Sequence, residues 1–404
     1  MMSKYFQEDK WWVSPYNFDE AVLGQFNIPA RVKIHDATLR DGEQTPGVVF
    51  RKEDKVRIAQ LLDEVGVDRI EAGMPAVSHE DFEAIRQISS LGLNAEIFSF
   101  ARAVIGDIDK ALECGCTGVV IEIPIGYPKL KFQFGWTWED VLRKSVECIN
   151  YAKEKGLYVV YFPYDTTRAR YDDLVNLLTG IMKDSAPDSV GIVDTMGCAL
   201  PEAMKFLVRK AKELTGLPVE VHTHNDFGMA VATELAGVTA GAEVVHSCVN
   251  GLGERTGNAA LEELIMGLRI LLGMDAPYRL DRLLPLSRAV EEISGVKLAG
   301  NKPVVGERIY TRESGIGIDM VIKKPLAMFA VSPKLLGREG EVVLGKKSGK
   351  ASVEYMLSAL GISGLDDEAI EEIVGLVKAR GTEKRGLLTT EEFMEIVSRF
   401  TANP

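Results

Sequence analysis

From about residue 31 the chain repeats one pattern. A short run of β-branched and apolar residues ends in polar ones, and a longer segment follows in which apolar positions recur at helical spacing. The short runs are 31–36, 68–72, 95–100, 117–123, 157–162, 188–194, 218–224 and 243–249. Between them lie amphipathic stretches such as 52–65 (KEDKVRIAQLLDEV) and 199–215, with apolar residues three and four apart. Eight successive βα units over this length predict an α/β fold, a (β/α)8 TIM barrel, across residues 31–275. A doubly wound open sheet is the competing architecture, and eight units are more than it needs.

The rhythm stops after residue 275. Segment 281–295 predicts a helix, 299–350 is irregular and rich in Gly, Lys and Pro, and 351–361, 366–380 and 389–400 predict further helices. The expected organisation is an aromatic and acidic N-terminal extension (1–30) that packs on a core or a partner, and the barrel (31–275). A linker with a first subdomain (276–350) and a small, mostly helical C-terminal subdomain (351–404) complete it.

The 404 residues, 46% of them hydrophobic, suffice for a large core, and the net charge of −12 argues against a nucleic-acid or membrane-surface partner. The five cysteines form no CxxC pair, so Cys114 and Cys116 are expected to be structural thiols of a reduced, cytoplasmic protein. No secretory leader pattern and no apolar run of membrane-spanning length is present, which predicts a chain neither exported nor membrane-bound.

A TIM barrel carries its chemistry at the C-terminal ends of its strands, and unusual polar residues fall there. The first strand runs into His35-Asp36-Ala37-Thr38-Leu39-Arg40-Asp41-Gly42-Glu43-Gln44, and the seventh ends in His222-Thr223-His224-Asn225-Asp226. His222 and His224, two apart on a strand, share a face. With the Asp41 carboxylate they offer a site for one divalent ion with positions open to substrate. The plainer alternatives are hydrogen-bonded core histidines and an Asp41 that caps the first helix. Arg40 can direct two N–H donors at an oxyanion, or form a surface ion pair. Asn258, in the glycine-rich loop after the eighth strand, offers a neutral oxygen to the ion or caps its own loop. The Gly251-x-Gly253 pair lacks the rest of a dinucleotide-binding fingerprint.

The stretches Thr38–Gln44, Glu71-Ala72-Gly73-Met74-Pro75, Asp194-Thr195-Met196-Gly197, His222–Asp226 and Gly251–Asn258 together resemble the homocitrate synthase and 2-isopropylmalate synthase family. The likeness spans 31–275 and extends more loosely to Glu313-Ser314-Gly315-Ile316 and Leu344–Gly349. It implies a Claisen condensation. Acetyl-CoA becomes an enolate that attacks a 2-oxo acid held on Mn, Mg or Zn; CoA and a 2-hydroxy di- or tricarboxylate are released. The resemblance further implies Asp41, His222, His224 and Asn258 around the metal, with Arg40 on the developing alkoxide and Glu43 nearby. It places Gln44, Arg102, Tyr164 and Thr195 on the substrate. A metal-dependent aldolase or lyase running the reverse chemistry is the alternative, and a non-catalytic binder the third reading. The loop Gly253-Glu254-Arg255 lacks the cysteine of the hydroxymethylglutaryl-CoA lyase branch, and no lysine stands at a strand end as in biotin-linked carboxyltransferases.

The chain departs from the family pattern in three places. Where the subdomain's histidines are usual it has Arg312 and Gly317, so a base must come from elsewhere; Tyr310, Glu313 and Glu43 are candidates. Tyr164 takes the place of the glutamate in the usual strand-five Glu-Asp pair. The chain ends at 404, so the expectation is that no long regulatory domain follows. The family resemblance also implies a homodimer with exchanged C-terminal subdomains, 281–350 being the exchange element. Lys346, Lys347 and Lys350 are read as solvated, with CoA phosphates as the alternative ligand.

Overall fold

The computed structural model describes residues 4–401, which divide into two compact units, Pro15–Leu298 and 4–14 with 299–401. The first unit is a closed barrel of eight parallel strands. They are β1 (Lys33–Asp36), β2 (Arg69–Glu71), β3 (Glu96–Arg102), β4 (Gly118–Pro124), β5 (Tyr158–Tyr164), β6 (Ser189–Asp194), β7 (Val219–Thr223) and β8 (Val244–Ser247). Neighbours in sequence pair with one another, and β8 closes on β1 through Val244–Lys33 and His246–His35. Every run expected to be a strand overlaps one of them, and β3, β4 and β5 extend one or two residues past the expected ends. The helices between are α1 (Lys52–Val65), α2 (His79–Ser90), α3 (Ile105–Glu113), α4 (Trp138–Glu154), α5 (Tyr171–Asp184), α6 (Pro201–Thr215), α7 (Ala230–Thr239) and α8 (Leu261–Met266).

Local chemistry sets the helix ends. Ser78 accepts the Asp81 N–H at the start of α2, and Thr137 forms a capping box with Asp140 at the start of α4. Pro201 opens α6, and Gly66 closes α1 with φ +93°. α1 buries Ile58, Ala59, Leu62 and Val65 along one stripe.

Alternation along the strands divides the apolar residues between two cores. On β4, Val119, Ile121 and Ile123 join the layer beneath the helices, whereas Val120 joins Phe98, Phe100, Val160, Phe162 and Val193 inside the barrel. The lower interior is polar. Arg69 lies flat against Tyr158 and Phe98 and donates to Glu220 at 2.8 Å. Glu220 also accepts from Ser189 (2.6 Å) and His246 (2.9 Å). The rings of His246 and His35 stack at 4.3 Å.

After the barrel comes α9 (Leu283–Ser294). The second unit contains α10 (Ile318–Lys323), α11 (Lys350–Ala359), α12 (Asp367–Lys384) and α13 (Thr390–Thr401), and a parallel pair Thr311–Arg312 with Glu341–Val342. Val353, Ile373, Val377, Phe393 and Val397 form its core. The N-terminal hairpin, Phe6–Gln7 with Trp11–Trp12, is built into this unit: Trp12 N–H donates to Ala330 (2.8 Å) and Ser332 N–H to Lys10 (2.8 Å). All five cysteines are free, and four are buried. Among the described residues no helix is long and apolar enough to cross a membrane.

One glycine marks how tightly the barrel interior is filled. A Cβ on Gly191 of β6 would sit 2.5 Å from the ring of Phe162. Gly191→Ala is therefore expected to cost about 1–3 kcal/mol by displacing that ring. Urea unfolding followed by circular dichroism checks this, and unchanged stability would show that the interior relaxes freely.

Candidate active site

The turn after β1 is locked from below. Asp36 accepts the Thr38 N–H at 3.0 Å and the Ser247 hydroxyl at 2.7 Å, while Ala37 O receives N–H groups from Arg40, Asp41 and Gly42. This winding carries Arg40 and Asp41 over the barrel mouth. Asp41 begins a short 3-10 turn, but its side chain caps nothing. Instead Asp41 Oδ2 lies 3.3 Å from His222 Nε2 and 3.7 Å from His224 Nε2, and one ligand atom from each of the three falls within 4.8 Å of the others.

All three side chains are buried, and Asp41 Oδ1 has no hydrogen-bond partner among the described residues. Asn258, whose backbone bridges to His224, donates Nδ2 to Leu252 O at 3.0 Å and leaves Oδ1 buried and unpartnered. Gly253 (φ +142°) is needed there, because a Cβ would lie 2.2 Å from Asn258 Nδ2 and 3.3 Å from Asp41 Oδ1. Burial favours a neutral Asp41, but the Arg40 guanidinium and the two imidazoles outweigh it and hold the carboxyl well below the usual range. Desolvation pushes His222 down and His224 down to about 4, so both rings are neutral. Neutral imidazoles, an ionised carboxylate and unpaired oxygens are the donor set a divalent cation requires.

Arg40 is nearly buried rather than a surface ion-pair partner. Its Nε donates to Glu71 Oε1 at 2.6 Å and its Nη1 to Asp41 Oδ2 at 3.0 Å, and it packs on Phe100. Glu71 in turn accepts from His35 Nε2 at 3.1 Å. These bonds fix the guanidinium while leaving N–H donors for a ligand.

The group opens into a cavity of about 380 Å³, large enough for a small organic acid. Arg40, Asp41, Gln44, Arg102, Tyr164, Thr195, His222 and His224 all line it. Thr195 Oγ1 accepts the Asp165 N–H at 2.9 Å, which leaves the hydroxyl hydrogen to donate. Burial pushes the Tyr164 phenol up to about 12, so it remains protonated. Arg102 stands at the rim, mostly exposed, in a two-point ion pair with Asp107.

Other residues singled out from the sequence lie elsewhere. Glu43 is not part of this lining; it accepts the Phe50 N–H at 2.8 Å and pairs with Lys55 at 2.6 Å. Tyr310 and Glu313 belong to the second unit. There Tyr310 meets Phe329 edge-on and burial lifts its phenol to about 12, while Glu313 accepts the Lys347 N–H at 2.8 Å. Lys350 pairs with Asp367 at 2.8 Å.

The sequence reading passed over Glu122, Lys129 and the Glu71–His35 pair. Glu122 and Lys129 line the cavity. A signal existed for Glu122: it is the sole charged residue in the apolar strand GVVIEIP.

The family described as HMGL-like matches residues 31–290, and the one described as "Homocitrate synthase post-HMGL domain-like" matches 304–385. The homocitrate synthase AksA of Methanopyrus kandleri is 42% identical over 384 residues, 95% of this chain and 96% of that one. A 2-isopropylmalate synthase of Methanocaldococcus jannaschii is 40% identical over 378 residues, 93% of this chain and 72% of that one. The crystal structure of a hydroxymethylglutaryl-CoA lyase from Pseudomonas aeruginosa superimposes with a TM-score of 0.59 at 21% identity, covering 67% of this chain and 95% of that one, and so shares the fold. The expected resemblance holds along nearly the whole chain: it belongs to the homocitrate synthase and 2-isopropylmalate synthase family.

Proposed function

We propose that this chain is a metal-dependent acyltransferase that condenses acetyl-CoA with a 2-oxo acid and releases CoA and a 2-hydroxy di- or tricarboxylate. One observation carries the reading. The clustered ligand atoms of Asp41, His222 and His224 and the anchored guanidinium of Arg40 face one cavity of substrate size. The reverse, lyase direction is not favoured, because the relatives that match along most of the chain are synthases and the lyase structure shares only the fold.

Asp41, His222 and His224, with Asn258 Oδ1 at hand, would hold the divalent ion. When bound, it supplies Lewis-acid polarisation of the acceptor's ketone. The remaining tasks fall to side chains. Arg40 directs its spare N–H groups at the negative charge that grows on the ketone oxygen. It costs little reorganisation because Glu71 and Asp41 already fix it. Thr195 and Gln44 donate to the acceptor's carboxylate. Phe100, Phe134, Phe162 and Met74 wall the cavity and exclude water from the enolate. Mn, Mg and Zn all suit this donor set. The reading includes a cytoplasmic homodimer with exchanged C-terminal subdomains, which light scattering and domain cross-linking test.

The decisive assay is thiol release from acetyl-CoA with each metal against pyruvate, oxaloacetate, 2-oxoglutarate and 2-oxoisovalerate. Metal-dependent CoA release with at least one acceptor is expected, and silence across the panel with metal bound would overturn the reading. Asp41→Asn and His222→Ala are expected to weaken Mn²⁺ binding, measured by calorimetry, by about 100-fold or more. Retention of wild-type affinity in either would remove the assigned metal centre. Arg40→Ala should still bind Mn²⁺ yet lose roughly 10²–10³ in kcat. Normal turnover would strip Arg40 of its role.

A further inference from the structure

The condensation needs a base for the acetyl methyl group, and the residues that line the cavity narrow the choice. The carboxylates lining the cavity are those of Asp41, Glu122 and Glu254. Asp41 is committed to the two imidazoles and Arg40. Glu254 is more than half exposed, beside Arg255 at 3.6 Å. Glu43 and Glu71 are engaged in ion pairs of 2.6 Å each, with Lys55 and Arg40.

Glu122 is different. It stands at the C-terminal end of β4, between Arg102 of β3 and Phe162 of β5 in the strand register. It lines the cavity yet is not one of the group of possible metal ligands. Its surroundings raise or lower its charge only from a distance, and among the described residues no hydrogen bond holds its carboxylate. A half-buried carboxylate that faces a cavity without being tied up by a neighbour is free to meet a ligand, and at the mouth of a barrel such a group marks a functional site.

Resting on the synthase reading above, we propose that Glu122 is the catalytic base that takes a proton from the acetyl methyl group of acetyl-CoA. The methyl C–H bond breaks and an O–H bond forms on Glu122. The electron pair becomes the enolate double bond, with the charge on the thioester oxygen. The enolate carbon then bonds to the ketone carbon, whose π pair moves onto its oxygen, and the proton on Glu122 passes to that alkoxide. Water afterwards cleaves the thioester, giving CoA and the carboxylate. β4 thereby supplies the free carboxylate that β5 lacks, where Tyr164 stands instead.

The charged and titratable groups facing Glu122 are Arg40 and Asp41 from the β1 turn, Glu71 from β2, Lys129 after β4 and Tyr164 from β5. Burial pushes its carboxyl up to about 7; the Arg40 cation opposes that shift, and the Asp41 and Glu71 anions add to it. A base titrating there matches the working range of proton abstraction at neutral pH. Since the ionised form is the active one, kcat should rise with pH through about 7 and then level.

The test compares wild type, Glu122→Gln and Glu122→Asp as full-length enzyme with Mn²⁺ and the acceptor found above. In Glu122→Gln, kcat should fall by about 10²–10⁴, with both KM values within about threefold and Mn²⁺ affinity unchanged. The residual rate should lack the rise through neutral pH, and the isotope effect with trideuterated acetyl-CoA should grow. Glu122→Asp keeps the charge, one methylene withdrawn, and should recover part of the rate together with the pH dependence. A Glu122→Gln variant with kcat within about threefold of wild type, an unchanged pH profile, or a loss confined to the acceptor's KM would overturn the proposal. So would a Glu122→Asp variant as inactive as Glu122→Gln, which also decides the matter should Glu122→Gln not fold. Wild type that releases no CoA with any acceptor fails the synthase reading and this inference with it. An active wild type beside an equally active Glu122→Gln fails this inference alone.

Discussion

The pairing of Arg40 with Glu71 is the interaction on which the site depends. A guanidinium this deeply buried requires a compensating anion, and Glu71, itself wholly buried, supplies it at 2.6 Å. That bond leaves Asp41 only a share of Arg40, enough to keep its carboxyl ionised and too little to occupy both oxygens. Glu71 is braced in turn by His35, which stacks on His246, which donates to Glu220, which pairs with Arg69. A column of buried polar groups therefore runs up the barrel from Arg69 to the mouth. Removing one member strands its neighbour, so the interior is polar at a stability cost that a sealed apolar barrel would not bear.

At the top of that column the charges do not balance. Asp41 and Glu71 are both held below the usual carboxylate range, and Arg40 offsets one of them. The imidazoles beside them are neutral. A residual negative charge surrounded by unpaired nitrogen and oxygen atoms is an electrostatic invitation to a cation. Burial is the main cause that raises Glu122, and the Asp41 and Glu71 anions add to it. The anions that favour a cation at Asp41 thus also contribute to the shift at Glu122.

Which parts of this were legible in the sequence follows from how local each determinant is. Strand alternation and helical spacing are local, so the eight βα units could be read. The spacing of His222 and His224 likewise fixed their common face without knowledge of the fold. Partner choice is not local. Glu43 follows the Arg40-Asp41 pair in sequence, yet Lys55 of α1 draws it away. Asn258 is recognisable as polar, but only the carbonyl of Leu252 reveals which of its atoms stays free. Glu122 is marked in the sequence only as the one charge in an apolar strand, since what surrounds it depends on what β3 and β5 place beside it. The N-terminal Trp11 and Trp12 pair with residues near 330, a register no nearby pattern announces.

The placement of Glu122 also bears on how charge moves during the condensation. Before proton transfer the cavity holds a carboxylate at Glu122 and a neutral ketone; afterwards it holds a neutral carboxyl and an alkoxide. The negative charge has moved across the cavity without any change in its total. Arg40 is among the cations whose field reaches Glu122, and its guanidinium is fixed beside Asp41, where the ketone is to be held. A fixed cation that serves the charge at both ends of its path need not reorient as the reaction proceeds. A histidine in the base's place would begin neutral and end positive, adding a like charge close to Arg40. A carboxylate avoids that repulsion, which is a physical reason for a barrel built around a buried arginine to draw its base from a glutamate on its own wall.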